Sequence, residues 1–394
     1  MKRITRLALC VILAAVCLVG CKPAPAAPQK PVTGIAPAFT EELGYYNESP
    51  SVIESEAGVR YLYYTRNATA FDATTSTIAV RKGVKKGDEW VYGNSTTVLE
   101  PSENGWDSKY IESADVIAGN FEYNGENYSY LMAYAATDNL SGRYSMSIGF
   151  ALSKSPTEKF VKVGDEPFVR YNPADYAAAT TVKGCSQPSL VSYDRGGKFY
   201  LFYSLFEPHG KSSYLVETDG SDMNAVKRGG RILVGKEGIV DTGLHSAIVN
   251  ADWSYDEAHD EFVVVRDYWL LASTAPAVAE AVQVVRGGKA VLYDVPNDEE
   301  NYAGEWITVA RRIGQSATGL GETDDPEKQV GYARVYYACV ATDVYGRTLS
   351  SDEAELYFTA CCEASASPGD ETAYLYSASI HAYKVAISRE EKID

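Results

Sequence analysis

One pattern, a polar pair followed by Pro or Ala and then an apolar run, opens four segments of the chain. These are ESPSVI from Glu48, ESADVI from Glu112, SQPSLV from Ser186 and HSAIVN from His245. Their third residues, Pro50, Ala114, Pro188 and Ala247, lie 64, 74 and 59 residues apart. Repetition at such a period confines a chain to stacked or ring-forming architectures, because one unit cannot bury its apolar face without its neighbours. Behind each opening come a turn and an aromatic, β-branched strand: GVRYLYYT from Gly58, ENYSYLMAYAAT from Glu126, GKFYLFYSLF from Gly197 and DEFVVVRDYW from Asp260. That density suits strands covered on both faces. Third strands such as TSTIAVRKG and SIGFALSKS follow, then fourth strands such as EWVYGNSTTVL and KFVKVGDEPFV. The segments YYACVATDVYGRTLS, AELYFTACC and AYLYSASIHAYKVAIS supply a fifth, less regular unit, and TAPAVAEAVQVV has room for a helical turn. Five four-stranded units in series predict an all-β fold, a five-bladed β-propeller, in which the strand openings converge on one central mouth. A two-sheet sandwich is the alternative, and it leaves the recurring polar pairs without a reason.

The N-terminal region has a different composition. Residues 1–20 carry a basic start and then a continuous apolar run, the pattern of an export signal. LVGC, ending at Cys21, is similar to a bacterial lipobox, which implies lipidation of Cys21 and an extracytoplasmic, membrane-anchored protein. Residues 21–38 are rich in Pro and Ala and read as a tether, leaving 39–394 for the propeller. Loss of Lys2, Arg3 and Arg6 with the signal takes the net charge from −17 to −20, a field that repels nucleic acid. The cysteines beyond the anchor are Cys185, Cys339, Cys361 and Cys362. Their spacing matches no metal motif, and two readings stay open: unpaired thiols, or a bridge from Cys339 to Cys361 or Cys362.

The succession of SPSVI and YLYYT, then WDSKYIESADVI, YLMAYAA and SIGFALSKSP, then SQPSLV and GKFYLFYS, and finally TDVYGR and LYSASIHAYKV resembles that of the five-bladed glycosidase propellers. That group includes glycoside hydrolase family 43 and its arabinanase and fructosidase relatives. The resemblance implies an oligo- or polysaccharide partner at the central mouth, and no cofactor other than, at most, a structural ion at the centre. It also implies a carboxylate directly before the Pro of the first opening and a glutamate at the start of the third. Here Ser49 stands at the first place and Ser186, Gln187 and Ser189 at the second, so neither acid is present. The remaining acids of the openings, Glu48, Glu112 and Asp115, are the candidate catalytic carboxylates. Strict strand alternation would turn Glu48 away from Ser49 and would part Glu112 from Asp115.

Gln187, His245 and Asp343 are candidate hydroxyl-binding residues, and Trp106 and Trp253 candidate stacking platforms for a sugar ring. NADWSYDEAHDEF, with Asp252 and Asp256, reads as a turn between strands. His209 and His259 fall in turn-like contexts and His381 in a closing strand. DRGGKF and RGGRIL read as hairpin turns, since neither has the pattern of a phosphate loop. Three functional readings follow: a glycoside hydrolase-like protein with relocated acids, a noncatalytic carbohydrate-binding lipoprotein, or a protein-interaction propeller.

Overall fold

The structure is a computed structural model that describes residues 37–40, 42–56, 58–139, 145–171, 184–207, 210–236, 238–239, 248–270, 279–292, 305–314, 334–361, 378–387 and 389. Residues 1–36, where a signal and most of a tether are expected, and His209, His245 and Cys362 lie outside those residues, as does Cys21. Five antiparallel sheets form the blades of a five-bladed β-propeller. Blade 1 holds β1 (Asn47–Glu56), β2 (Val59–Thr69), β3 (Asp72–Lys86), β4 (Glu89–Tyr92) and β5 (Thr96–Leu99). Blade 2 holds β6 (Tyr110–Tyr123), β7 (Glu126–Thr137), β8 (Ser147–Ser153) and β9 (Val161–Lys162). Blade 3 holds β10 (Gly184–Ser192), β11 (Lys198–Glu207), β12 (Gly210–Asp219), β13 (Lys227–Arg228) and β14 (Ile232–Leu233). Blade 4 holds β15 (Asp252–Asp256), β16 (Glu261–Leu270), β17 (Ala279–Gly288) and β18 (Ile307–Gly314). Blade 5 holds β19 (Arg334–Val340), β21 (Glu353–Cys361) and β22 (Ala378–Ala386), while β20 (Thr342–Asp343) crosses to pair with β1.

Each blade interface has its own apolar core, made by residues that alternate to opposite faces of the strands. Ile53, Tyr63 and Val80 meet Ile111, Val116 and Met132 between blades 1 and 2. Leu131, Phe150 and Leu152 meet Leu190, Phe199 and Leu201 between blades 2 and 3. Phe202 and Leu215 meet Trp253 and Phe262 between blades 3 and 4. Val263, Val265 and Val284 meet Val335, Leu356 and Phe358 between blades 4 and 5. Cys339, Tyr357 and Ile380 meet Val52, Leu62 and Tyr64 across the junction that closes the ring. An incoming N-terminal segment strengthens that last junction: Pro37 bridges His381, the Ala38 N–H donates to the Ile380 carbonyl, and Phe39 packs on Tyr64 and Tyr92.

The opposite end of the central channel is closed by the turn that follows β20. Thr342 and Asp343 pair in parallel with Ile53 and Glu54 of blade 1. Val344, Tyr345 and Gly346 then present carbonyls to the N–H groups of Ala118, Ser192 and Tyr255, on blades 2, 3 and 4. One short plug therefore bonds to the innermost strand of all four other blades. Gly346 is required there, with φ of 78° and a position where a Cβ would lie 2.6 Å from the Leu190 carbonyl oxygen.

Several sequence expectations change. In the fourth blade the described residues that open the innermost strand are Asn250, Ala251 and Asp252, while His245, Ser246 and Ala247 of HSAIVN lie outside the described residues. The part of the candidate helical stretch from Ala279 to Val285 belongs to strand β17, drawn into the sheet by Val282, Val284 and Val285 packing on both faces. Cys339 is a free thiol: it stands opposite Tyr357, whereas Cys361 stands opposite Arg334, too far along the strand pair to bridge. RGGRIL joins β13 and β14, which pair with the same strand β12, so it is a jog in an edge and not a hairpin.

Candidate functional site

At the end of the channel opposite the plug, the innermost strands share one irregularity. Ser49, Ser113, Gln187, Asn250 and Tyr337 all have φ between 44° and 53°, the left-handed region that ordinary side chains avoid. Each sits one residue before Pro50, Ala114, Pro188, Ala251 or Ala338. In four blades the strand register shifts at that point, as a bulge requires: Glu48/Ser51, Glu112/Asp115, Ser186/Ser189 and Tyr336/Cys339. The neighbouring blade supports the strained residue. Thr65 accepts the Ser113 N–H, Ser204 that of Asn250, Asp267 that of Tyr337 and Thr359 that of Ser49. At the corresponding place in blade 2 stands Ala135, opposite Glu112, which has no side-chain acceptor.

Two residues beyond each bulge residue, a second ring of side chains joins blade to blade. The Ser51 hydroxyl donates to Asp115 at 2.6 Å, and Asp115 accepts the Leu190 N–H at 2.6 Å. The Ser189 hydroxyl donates to Asp252 at 2.9 Å, and Asp252 accepts the Val340 N–H at 2.9 Å. Cys339 completes the circuit back to Val52 of blade 1 through a backbone hydrogen bond. Burial pushes the Asp115 carboxyl up to about 6, against the pull of Ser51 and the Leu190 and Val116 N–H groups. Burial, and then repulsion from Asp115, push Asp252 well above the carboxylate range. Burial and the same two carboxylates raise the Cys339 thiol.

Ser49, Pro50, Ser51, Ser113, Ala114, Asp115, Gln187, Pro188, Ala251, Asp252 and Ala338 enclose a space of about 10 Å³. That is room for about one water molecule and too little for a sugar ring. The carboxylates of Asp115 and Asp252 each accept a backbone and a hydroxyl donor, an arrangement that joins blade to blade. Among the described residues no cluster of His, Cys, Asp or Glu is placed to hold a metal ion.

The candidate residues divide as follows. Asp115 and Gln187 line the cavity. Glu112 is buried beside it, and the bulge sets Glu112 and Asp115 opposite Ala135 and Ala133, so the two acids share a side of the sheet, contrary to simple alternation. Glu48 is buried and accepts a hydrogen bond from the Tyr336 hydroxyl. Trp106, partly buried, stacks on Tyr134 above Gly149 of blade 2, and Trp253 is buried against Phe202 of blade 3 at a ring separation of 4.0 Å, which makes it interblade packing. Asp343 belongs to the plug, where it accepts the Tyr345 and Arg347 N–H groups, at the far end of the channel. His381 is buried in β22 beside Ser379, while His259 and Asp256 pair in a turn. The residue that the sequence reading missed is Asp252, taken there as a turn former. The likeness of Ser-Ala-Asp at 113–115 to Asn-Ala-Asp at 250–252 was the available signal.

No protein-family profile matches the sequence, and no curated protein matches it. The fold is that of solved glycoside hydrolase propellers. An α-L-arabinofuranosidase from Lactobacillus brevis aligns with a TM-score of 0.52 and 11% identity, over 89% of this chain and 92% of that one. The catalytic domain of a family 62 α-L-arabinofuranosidase from Coprinopsis cinerea gives 0.53 and 10%, over 89% and 95%. A family 117 glycoside hydrolase from the marine bacterium Zobellia galactanivorans gives 0.52 and 12%, over 90% of each chain.

Proposed function

We propose that this chain is an exported lipoprotein, anchored through Cys21 outside the cytoplasm, whose propeller binds neutral glycan chains across its central mouth without cleaving them. The observation that carries the reading is the ring of left-handed residues. Glycine fills such positions at least cost, yet here they hold Ser, Ser, Gln, Asn and Tyr, side chains that hydrogen-bond hydroxyls. Strained non-glycine residues of this kind mark binding sites. Hydrolysis asks for two carboxyl groups on opposite sides of a glycosidic bond, with space for it between them. The two carboxylates on the cavity, Asp115 and Asp252, are committed to blade-to-blade hydrogen bonds around a water-sized space.

A second reading has its own support. Asp115, pushed up to about 6, is in the range of a general acid, and Asp252 adjoins it, so a glycosidase that opens its mouth on binding would have a carboxyl pair. The soluble domain is incubated with plant and microbial oligosaccharides while binding and release of new reducing ends are followed. Binding weakened at least fivefold by Gln187→Ala, with no release, is the expected result. Release by the parent protein that Asp115→Asn abolishes establishes the glycosidase instead. Absence of both binding and release across the panel overturns the carbohydrate reading and leaves the interaction platform.

A further inference from the structure

Blade 1 carries a built feature that its packing does not require. The β2–β3 hairpin continues past Thr65, the level of the mouth, to a turn closed by the pairing of Thr69 with Asp72. Four residues of strand carry its tip about 13 Å beyond the mouth. At the tip is Phe71, 49% exposed, with a φ of 61° that an aromatic residue adopts only under constraint.

The constraint can be traced. Asn67, almost fully buried, accepts the Tyr46 N–H and donates to the carbonyls of Gly44 and Thr69, tying the hairpin to the preceding loop. The Phe71 N–H donates to the Gly44 carbonyl at 2.8 Å. The ring lies on Gly44, where a Cβ would come within 2.6 to 2.9 Å of Cε2, Cδ2 and Cζ. A ring laid on backbone, in a residue about half exposed to solvent, is fixed in orientation. Beside it the exposed Asp72 carboxylate accepts the Thr74 hydroxyl and N–H. An aromatic surface next to a carboxylate and a hydroxyl is the chemistry that takes a sugar ring, whose CH face stacks while its hydroxyls donate.

We propose that this hairpin is a second glycan contact, with Phe71 as the stacking platform and Asp72 and Thr74 as hydroxyl partners. It would engage a chain that runs outward from the mouth over blade 1. The inference rests on the carbohydrate reading above and adds that the bound glycan is extended, longer than the mouth alone can hold.

The test uses immobilised neutral arabino- and xylo-oligosaccharides in ladders from the disaccharide upward, probed with the parent protein and with Phe71→Ala, Phe71→Trp and Gln187→Ala. Phe71→Ala should weaken binding of the longer chains about tenfold, the factor lost with about 1.4 kcal/mol of stacking. The shortest bound chain should be unaffected, Phe71→Trp should retain affinity, and the melting temperature should not move. Loss by Gln187→Ala at every length with none by Phe71→Ala overturns the hairpin contact and leaves the mouth standing. Failure of the parent protein to bind any ladder removes both. Equal loss by Phe71→Ala at all lengths, or loss only of binding to phosphatidylglycerol vesicles, also overturns the hairpin contact and in the second case makes it a membrane contact.

Discussion

Replacing Asp115 by Ala should destabilise the propeller by an amount that depends on pH in an unusual direction. The carboxylate accepts the Ser51 hydroxyl and the N–H groups of Val116 and Leu190, joining blades 1, 2 and 3. Without it the two N–H groups are left unsatisfied at about 2 kcal/mol each, a cost of about 4 kcal/mol, while the Ser51 hydroxyl can turn toward another acceptor. Against this stands the cost of charging the buried acid. Its carboxyl is raised from 3.8 to about 6, so the folded protein binds the proton more tightly than the unfolded chain. That contribution to stability is complete below pH 3.8 and is lost as pH rises through about 6. At about 1.36 kcal/mol per unit the loss comes to about 3 kcal/mol, an upper value because one face of the carboxylate meets the cavity. The substitution should therefore cost close to 4 kcal/mol near pH 4 and nearer 1 kcal/mol at pH 8. Removal of the Asp115 charge also lets Asp252 ionise more easily, which flattens the remaining pH dependence of the variant. Urea unfolding at the two pH values, followed by the combined fluorescence of the five tryptophans, measures both quantities. A cost that is the same at both, or larger at pH 8, would refute the reasoning and show that Asp115 stays ionised, held by its donors.

Two further changes probe the ring directly. Gly346→Ala places a Cβ against the Leu190 carbonyl at a φ of 78°, so it should cost roughly 3 kcal/mol or more and lower the urea midpoint at unchanged slope; a loss under about 1 kcal/mol would mean that the plug can shift. Ala135→Ser supplies blade 2 with the acceptor that Thr65, Ser204, Asp267 and Thr359 supply elsewhere. It should add about 1 kcal/mol, and a fall in melting temperature would show that the Gln187 N–H is already satisfied or that the site has no room for the hydroxyl.

How much of this could be read in the sequence depends on which forces left a compositional trace. The blades were legible because strands packed on both faces must be aromatic and β-branched, as in YLYYT and FVVVRDYW. The bulges were not, since their left-handed residues are Ser, Gln, Asn and Tyr and not the glycines that announce such backbone. That hidden residue also spoiled the alternation argument, which parted Glu112 from Asp115 although an extra residue brings them to one side. Trp253 shows a different failure. An aromatic ring at a strand opening suits a sugar or a neighbouring blade equally well by chemistry, and only its burial against Phe202 decides between them. Asp343 and its turn were legible as a motif but not as a place, because the bonds that locate it come from Ala118, Ser192 and Tyr255, far away along the chain.

The plug also sets an order of events during synthesis. Its carbonyls bond to strands made one, two and more blades earlier, and Ser49 is held by Thr359, 310 residues later. Contacts of such long sequence separation make folding slow, since the loops must close before the contacts can reward them. The first four blades emerge with open inner edges and stay so until the segment around Gly346 arrives. A chain with inner edges open in this way would have to be kept from pairing with other copies over that interval.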